Sequence, residues 1–209
     1  MRPDFSYEKK LISEGSHFLV GVDEVGVGPL AGAVTAAAVT APQNFGVIIS
    51  KLVGDLRDSK ALTARRREDF YKIFMELPEI SYAIASVSEK IIDRINIYEA
   101  RRLAAKRAVM KLEKKAGRNF DVVILDGKTY INIARNQIAV VKGDEKIALC
   151  AIASIIAKVT RDGMMIRAHR KYPEYRFDLH KGYGTKLHFN MIQKYGVSPI
   201  HRRSFYLGV

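Results

Sequence analysis

A single cysteine, Cys150, is all the chain holds in 209 residues. Its setting, Ile147-Ala148-Leu149-Cys150-Ala151-Ile152, marks it as a buried small apolar side chain. No disulfide can form within the chain. No apolar run approaches the roughly 18 residues that a membrane-spanning helix needs. The first residues, Met1-Arg2-Pro3-Asp4-Phe5, lack the apolar core of a signal peptide, so a cytoplasmic location is expected. The five histidines show no metal-ligand spacing. Repeats, low-complexity tracts and long linkers are absent, and one domain over 1–209 is expected, with a core of ordinary size. Acids are the other shortage. Against 35 Lys and Arg stand only 22 Asp and Glu, a net charge of +13. That imbalance favours a polyanionic partner, nucleic acid ahead of an anionic membrane.

What the chain does have is a rhythm of short apolar runs and longer amphipathic ones. Helices are expected over 4–14, 63–77, 88–115, 145–170 and 185–194, the last closed by Gly196. Strands are expected over 18–24, 33–40, 46–53, 80–87, 120–125 and 138–141. The early strands read as a meander and the later ones alternate with helices. The architecture that follows is α/β, a mixed sheet flanked by helices, with a C-terminal helical segment from about 172 to 209.

Acids punctuate the strand ends. Asp23 and Glu24 close the run Phe18-Leu19-Val20-Gly21-Val22. Strand alternation sends them to opposite faces, so at least one points at packed interior, where an unpaired carboxylate is costly. Asp126 closes Val122-Val123-Ile124-Leu125, and Asp144 follows Lys142-Gly143 just before the long helix. A lone strand-end Asp is usually a turn former or a helix cap. Four acids converging on one sheet edge repel one another and call for cations. Oxygen donors without thiols or imidazoles suit Mg²⁺ or Mn²⁺ rather than zinc. Set in a basic protein, such a cluster points to phosphodiester hydrolysis, in which two metals clamp the attacking and leaving oxygens.

The glycine turn Gly26-Val27-Gly28-Pro29-Leu30-Ala31-Gly32 lets backbone approach a ligand closely. It has neither the dinucleotide spacing nor the Lys-Ser/Thr of a P-loop. Taken with Asp23-Glu24 before it, the turn is one of seven segments that occur in order along the chain. The others are Asp58-Ser59-Lys60; Leu125-Asp126-Gly127; Lys142-Gly143-Asp144; the run from Ala153 to Asp162; Lys181-Gly182-Tyr183-Gly184-Thr185; and His201-Arg202-Arg203-Ser204-Phe205. By these segments the chain resembles ribonuclease HII, the type 2 ribonuclease H family, over essentially its whole length.

The resemblance implies a ribonuclease H-like fold. It also implies metal-dependent cleavage of RNA paired with or joined to DNA, leaving 3′-hydroxyl and 5′-phosphate ends. It assigns Asp23, Glu24, Asp126 and Asp144 to metal binding, Lys60 to a phosphate, and Tyr183 to stacking on the deoxyribose beside the junction. It places the turn Gly26, Val27 and Gly28 against the sugar hydroxyls, largely through main-chain groups. Lys158 and Arg161, three apart on the long helix, are placed either to grip phosphates or to pair with neighbouring acids.

One position departs from the pattern: the family usually carries Arg or Lys where this chain has Val27. Valine keeps its amide, so 2′-hydroxyl reading survives while a side-chain cation is lost. The expected partners are RNA/DNA hybrids and duplex DNA containing ribonucleotides, bound by a monomer. A catalytically weak protein that only binds such junctions is the competing reading. Retention of all four acids argues against it.

Overall fold

A computed structural model of the chain describes residues 3–45 and 62–208. The strand expected at 46–53, and Asp58-Ser59-Lys60 with it, lie outside the described residues. Five strands form one sheet: β1 (Leu19–Val25), β2 (Val34–Thr40), β3 (Ser81–Val87), β4 (Val122–Asp126) and β5 (Asn136–Val140), in the order β3-β2-β1-β4-β5. β2 pairs antiparallel with β1 and β3, whereas β4 runs parallel to β1 and to β5. The sheet is therefore mixed, as the order of runs predicts, but the far edge of β2 is taken by Ser81–Val87.

Helices cover both faces. Six fall among the described residues: α1 (Ser6–Ser13), α2 (Ala64–Glu76), α3 (Glu89–Ala116), α4 (Ala148–Lys171), α5 (Phe177–His180) and α6 (Lys186–Tyr195). The period of two sorts each strand between two cores. Leu19, Val122 and Ile124 pack toward α4 and α2, while Val20, Val22, Val123 and Leu125 pack toward α3. Alanine fills the tightest ground: Ala36 and Ala38 are buried beneath α3, and Ala37 faces α4. A Cβ at Gly21 would lie 2.5 Å from the Leu149 backbone, so α4 rests on β1 at a distance only glycine permits.

Local chemistry sets the helix ends. Thr63 caps α2 by accepting from the Arg66 amide at 3.3 Å. α3 is broken at Asn96 (φ 65, ψ 167), whose side chain accepts from the Glu99 amide at 3.1 Å and restarts the helix. Asn96 and Glu99 thus stand in the spacing of a capping box inside a pattern that reads as one continuous helix. After α4 the chain crosses back over the end of the sheet. His201 bridges Ala31, and the Arg202 amide donates to the Leu30 carbonyl at 2.8 Å. The C-terminal segment thereby rejoins the glycine turn. No helix among the described residues is long and apolar enough to cross a membrane.

Candidate active site

The same parity that builds the core separates Asp23 from Glu24. Asp23 follows Leu19 and Gly21 onto the α4 face, whereas Glu24 follows Val20 and Val22 onto the α3 face. β1 and β4 run parallel with Val22 beside Leu125, so the next step in register sets Asp23 beside Asp126. The Gly143–Glu145 turn then delivers Asp144 to the same point, immediately before α4. One carboxylate oxygen from each of Asp23, Asp126 and Asp144 lies within 4.8 Å of the others.

This cluster is held from all sides. The Gly143 N–H donates to Asp126 Oδ1 at 2.6 Å, and the Glu24 N–H donates to Asp23 Oδ1 at 2.7 Å. Asp23 and Asp144 are buried. Burial pushes the Asp23 carboxyl well above the usual carboxylate range, and the nearby charges of Asp126, Glu24 and Asp144 add to it; a Ser154 hydrogen bond opposes. Glu24 stands apart from the trio. Its pKa is also raised by burial, against the pull of Arg101, whose Nε lies 3.4 Å from Glu24 Oε1. Three carboxylates converging on one point, with Asp23 disfavoured as an anion by burial and by its acidic neighbours, form a set that hard divalent cations would satisfy.

A cleft of about 430 Å³ opens over the acids. Asp23, Glu24 and Asp126 form part of its wall, with Gly26, Val27 and Gly28 at one side and Ser154, Lys158 and Tyr183 at the other. Lys158 donates to Asp162 at 2.9 Å, the helix pair anticipated beside its phosphate role, and its Nζ stands 5.7 Å from the Tyr183 ring centre. Arg161 is placed differently from the expectation. It is 1% exposed, and its guanidinium donates to the carbonyls of Ala33, Lys181 and Ala31. A group so enclosed supports the loops beneath the cleft instead of gripping a phosphate. Lys60 lies outside the described residues.

Several residues here escape sequence reasoning. Arg67 of α2 lines the cleft, and Arg101 of α3 meets Glu24, each from a helix distant in sequence. Under Tyr183 lies a stack of histidines. His201 Nδ1 accepts from the Ser198 amide and hydroxyl at 2.8 and 2.7 Å. Its Nε2–H is left to donate to His188 Nε2 at 3.0 Å, and His188 Nδ1–H donates to the Tyr183 carbonyl at 3.0 Å. His180 accepts the Gly182 amide at 3.2 Å and donates to the Tyr175 carbonyl at 2.8 Å. Each ring is satisfied as a neutral tautomer, and burial lowers the pKa of His188 and of His201 to about 4. Their irregular spacing offers no signal, because the chain reversals at Gly182 and Pro199 bring them together.

Known proteins resemble the chain in sequence and in fold. The family model described as ribonuclease HII matches residues 20–207. Ribonuclease HII of Caldicellulosiruptor bescii is 45% identical over 203 residues, 96% of this chain and 92% of that one. A crystal structure of ribonuclease H2 from Pyrococcus horikoshii OT3 superposes with a TM-score of 0.73 at 25% identity, covering 90% of this chain and 94% of the other. Bst-RNase HIII in complex with Mn²⁺ shares the fold at a TM-score of 0.76 and 19% identity, over 92% of this chain and 68% of that one.

Proposed function

This chain belongs to the ribonuclease HII family, and from that premise we propose that it hydrolyses RNA in RNA/DNA hybrids and ribonucleotides embedded in duplex DNA. Cleavage falls at the RNA–DNA junction and leaves 3′-hydroxyl and 5′-phosphate ends. The observation that carries this reading is the meeting of Asp23, Asp126 and Asp144 within 4.8 Å, with Asp23 and Asp126 lining a cleft shared with the glycine turn and with basic and aromatic side chains.

Asp23, Asp126 and Asp144 would hold the divalent cation, with Glu24 swinging from Arg101 to complete the set. Mg²⁺ and Mn²⁺ both suit these oxygens, and Mn²⁺ is the ion bound by the HIII relative. When bound, a pair of such ions supplies Lewis acidity at the scissile phosphate and neutralises charge on both the entering and the departing oxygen. The chain's own residues do the positioning. Lys158 approaches the phosphate backbone, Tyr183 offers its ring to the sugar beside the junction, and the Gly26–Gly28 turn presents main-chain groups to the ribose. The +13 charge draws the duplex in and makes affinity fall with salt. The protein acts as a monomer in the cytoplasm.

Two duplexes of one sequence test this, one with a single ribonucleotide and one with a continuous RNA strand, each in Mg²⁺ and in Mn²⁺. Cleavage 5′-phosphorylated at the junction is expected. Asp126→Asn should lose about 10³-fold or more in rate while still binding the duplex. Binding without cleavage by the unmodified chain under all four conditions would instead indicate a junction-binding protein.

A further inference from the structure

Beneath the glycine turn lie two arginines, Arg161 at 1% and Arg202 at 0% exposure, the two bulkiest of the fully buried side chains. Such burial of two cations side by side is costly, and each must find polar partners. Their partners are main-chain carbonyls. Arg202 donates from Nε to Gly32 O at 2.9 Å, from Nη1 to Val27 O at 2.9 Å and from Nη2 to Gly26 O at 2.6 Å. Arg161 donates from Nε to Ala33 O at 3.0 Å, from Nη2 to Ala31 O at 3.2 Å and from Nη1 to Lys181 O at 3.0 Å. Four of these carbonyls belong to the turn, a fifth to Ala33 just after it, and the sixth to the loop that carries Tyr183.

The consequence for the turn follows from peptide geometry. No cis peptide occurs among the described residues. In a trans peptide the carbonyl of one residue and the N–H of the next point to opposite sides. With the Gly26 and Val27 carbonyls drawn down onto Arg202, the N–H groups of Val27 and Gly28 are turned the other way. Both residues line the cleft. The turn is seated on the guanidinium layer with no slack: Gly26 has φ +90, and a Cβ there would fall 2.2 Å from Arg161 Nε.

We propose that Arg202, backed by Arg161, is a positioning residue that turns the Val27 and Gly28 amides into the cleft as the readers of the ribose 2′-hydroxyl. This rests on the ribonuclease reading above and assigns its sugar selectivity to a buried side chain that never touches substrate. The arrangement needs arginine specifically. Three carbonyls at fixed points are met by one planar fork, which a lysine ammonium on a flexible stem does not reproduce. Burial lowers the Arg202 pKa to about 9, with Arg161 adding to the effect, so the charge is kept at neutral pH at a real cost to the fold. An apolar filler would spare that cost but strand the carbonyls. The carbonyls that the two charges hold belong largely to a turn lining the cleft, so the same bonds that satisfy them also fix how the turn faces it.

The test uses sugar discrimination, which is insensitive to the fraction of active protein. Cleavage of the single-ribonucleotide duplex gives KM, and an all-DNA duplex of the same sequence, added as competitor, gives Ki. Arg202→Lys should lower the ratio of Ki to KM by about tenfold, as reader hydrogen bonds are loosened. Lys158→Ala, which removes a phosphate contact, should raise both constants by a common factor and leave their ratio alone. A folded Arg202→Lys protein with the native ratio would overturn the proposal. In the unmodified chain, the Val27 and Gly28 amide resonances should shift with the ribonucleotide duplex and stay in place with the all-DNA one. Equal shifts with both would overturn it whether or not the variant folds. Failure of the ribonuclease reading itself would show separately, as absence of cleavage by the unmodified chain.

Discussion

Val27 divides its duties between side chain and backbone. The side chain is partly buried against the apolar cluster under α3, while the carbonyl is held by Arg202. The amide faces the cleft for the reason given by the peptide plane. A change of side chain at this point should therefore leave the reader amides in place. Val27→Arg is expected to lower KM for a single-ribonucleotide duplex by about two- to fivefold, the worth of one exposed cation near a phosphate. The cleavage position should not move. Steady-state kinetics with product mapping checks both parts, and an unchanged KM would show that the missing cation had no partner in the substrate. Neighbouring residues show what a sequence can and cannot disclose at this scale. Strand alternation alone separates Asp23 from Glu24, and the structure follows it. The partner of Glu24 is different: Arg101 is one of eight basic residues between 101 and 118, and nothing in that stripe singles it out. Arg161 misled because its spacing from Lys158 suggests a shared face, whereas its long side chain reaches down between loops that only the fold brings near.

At the scale of elements, strand and helix positions were largely legible, since both cores are built from plain periods of two and 3.6. The break at Asn96 was not, because apolar residues continue in step on either side of it. Neither was the docking of α1, in which a buried acid joins the apolar contacts of Leu11 and Ile12. Glu8 is 1% exposed, and its Oε1 accepts the Leu149 amide at 3.0 Å in the first turn of α4. A carboxylate at a helix N-terminus is favourable in itself. Here burial outweighs that gain and raises the Glu8 pKa from 4.5 to about 7. The sign follows directly. The folded state holds its proton above the pH at which the unfolded chain releases it, so stability is lost as pH rises from about 4.5 through 7. Glu8→Gln keeps an acceptor for Leu149 and removes the titration. Between pH 5 and 8 the variant should gain about 2–3 kcal/mol over the unmodified chain. Denaturant unfolding at the two pH values measures the gain, and parallel losses in both proteins would place the pH response elsewhere.

For the whole molecule, two groups of buried titratable side chains oppose one another across the pH range. His188 and His201 are buried neutral in the C-terminal segment, with pKa values lowered from 6.5 to about 4. Unfolding lets them take up protons below 6.5, so stability falls as pH drops from there toward 4. The acids act in the other direction. Glu8, Asp23 and Glu24 all have raised pKa values, and each must be charged in a buried place as pH rises. Between about pH 4.5 and 6.5 the two effects overlap and oppose one another, so the metal-free protein should lose stability on either side of that window. A divalent cation changes one side only. Binding at Asp23, Asp126 and Asp144 would neutralise the charge that burial penalises, and would leave the histidines and Glu8 untouched. Saturating Mg²⁺ should therefore raise Tm more at pH 8 than at pH 5.5, and carry the stability optimum upward. The acid limb should stay where it was. If 1–209 is one cooperative domain, a single transition should report both limbs, because the histidine stack holds Tyr183 over the cleft while the acids form its floor. Calorimetry across the pH range, with EDTA and with Mg²⁺, reads all of this at once. An equal rise in Tm at every pH would mean that the cation binds away from the acid cluster.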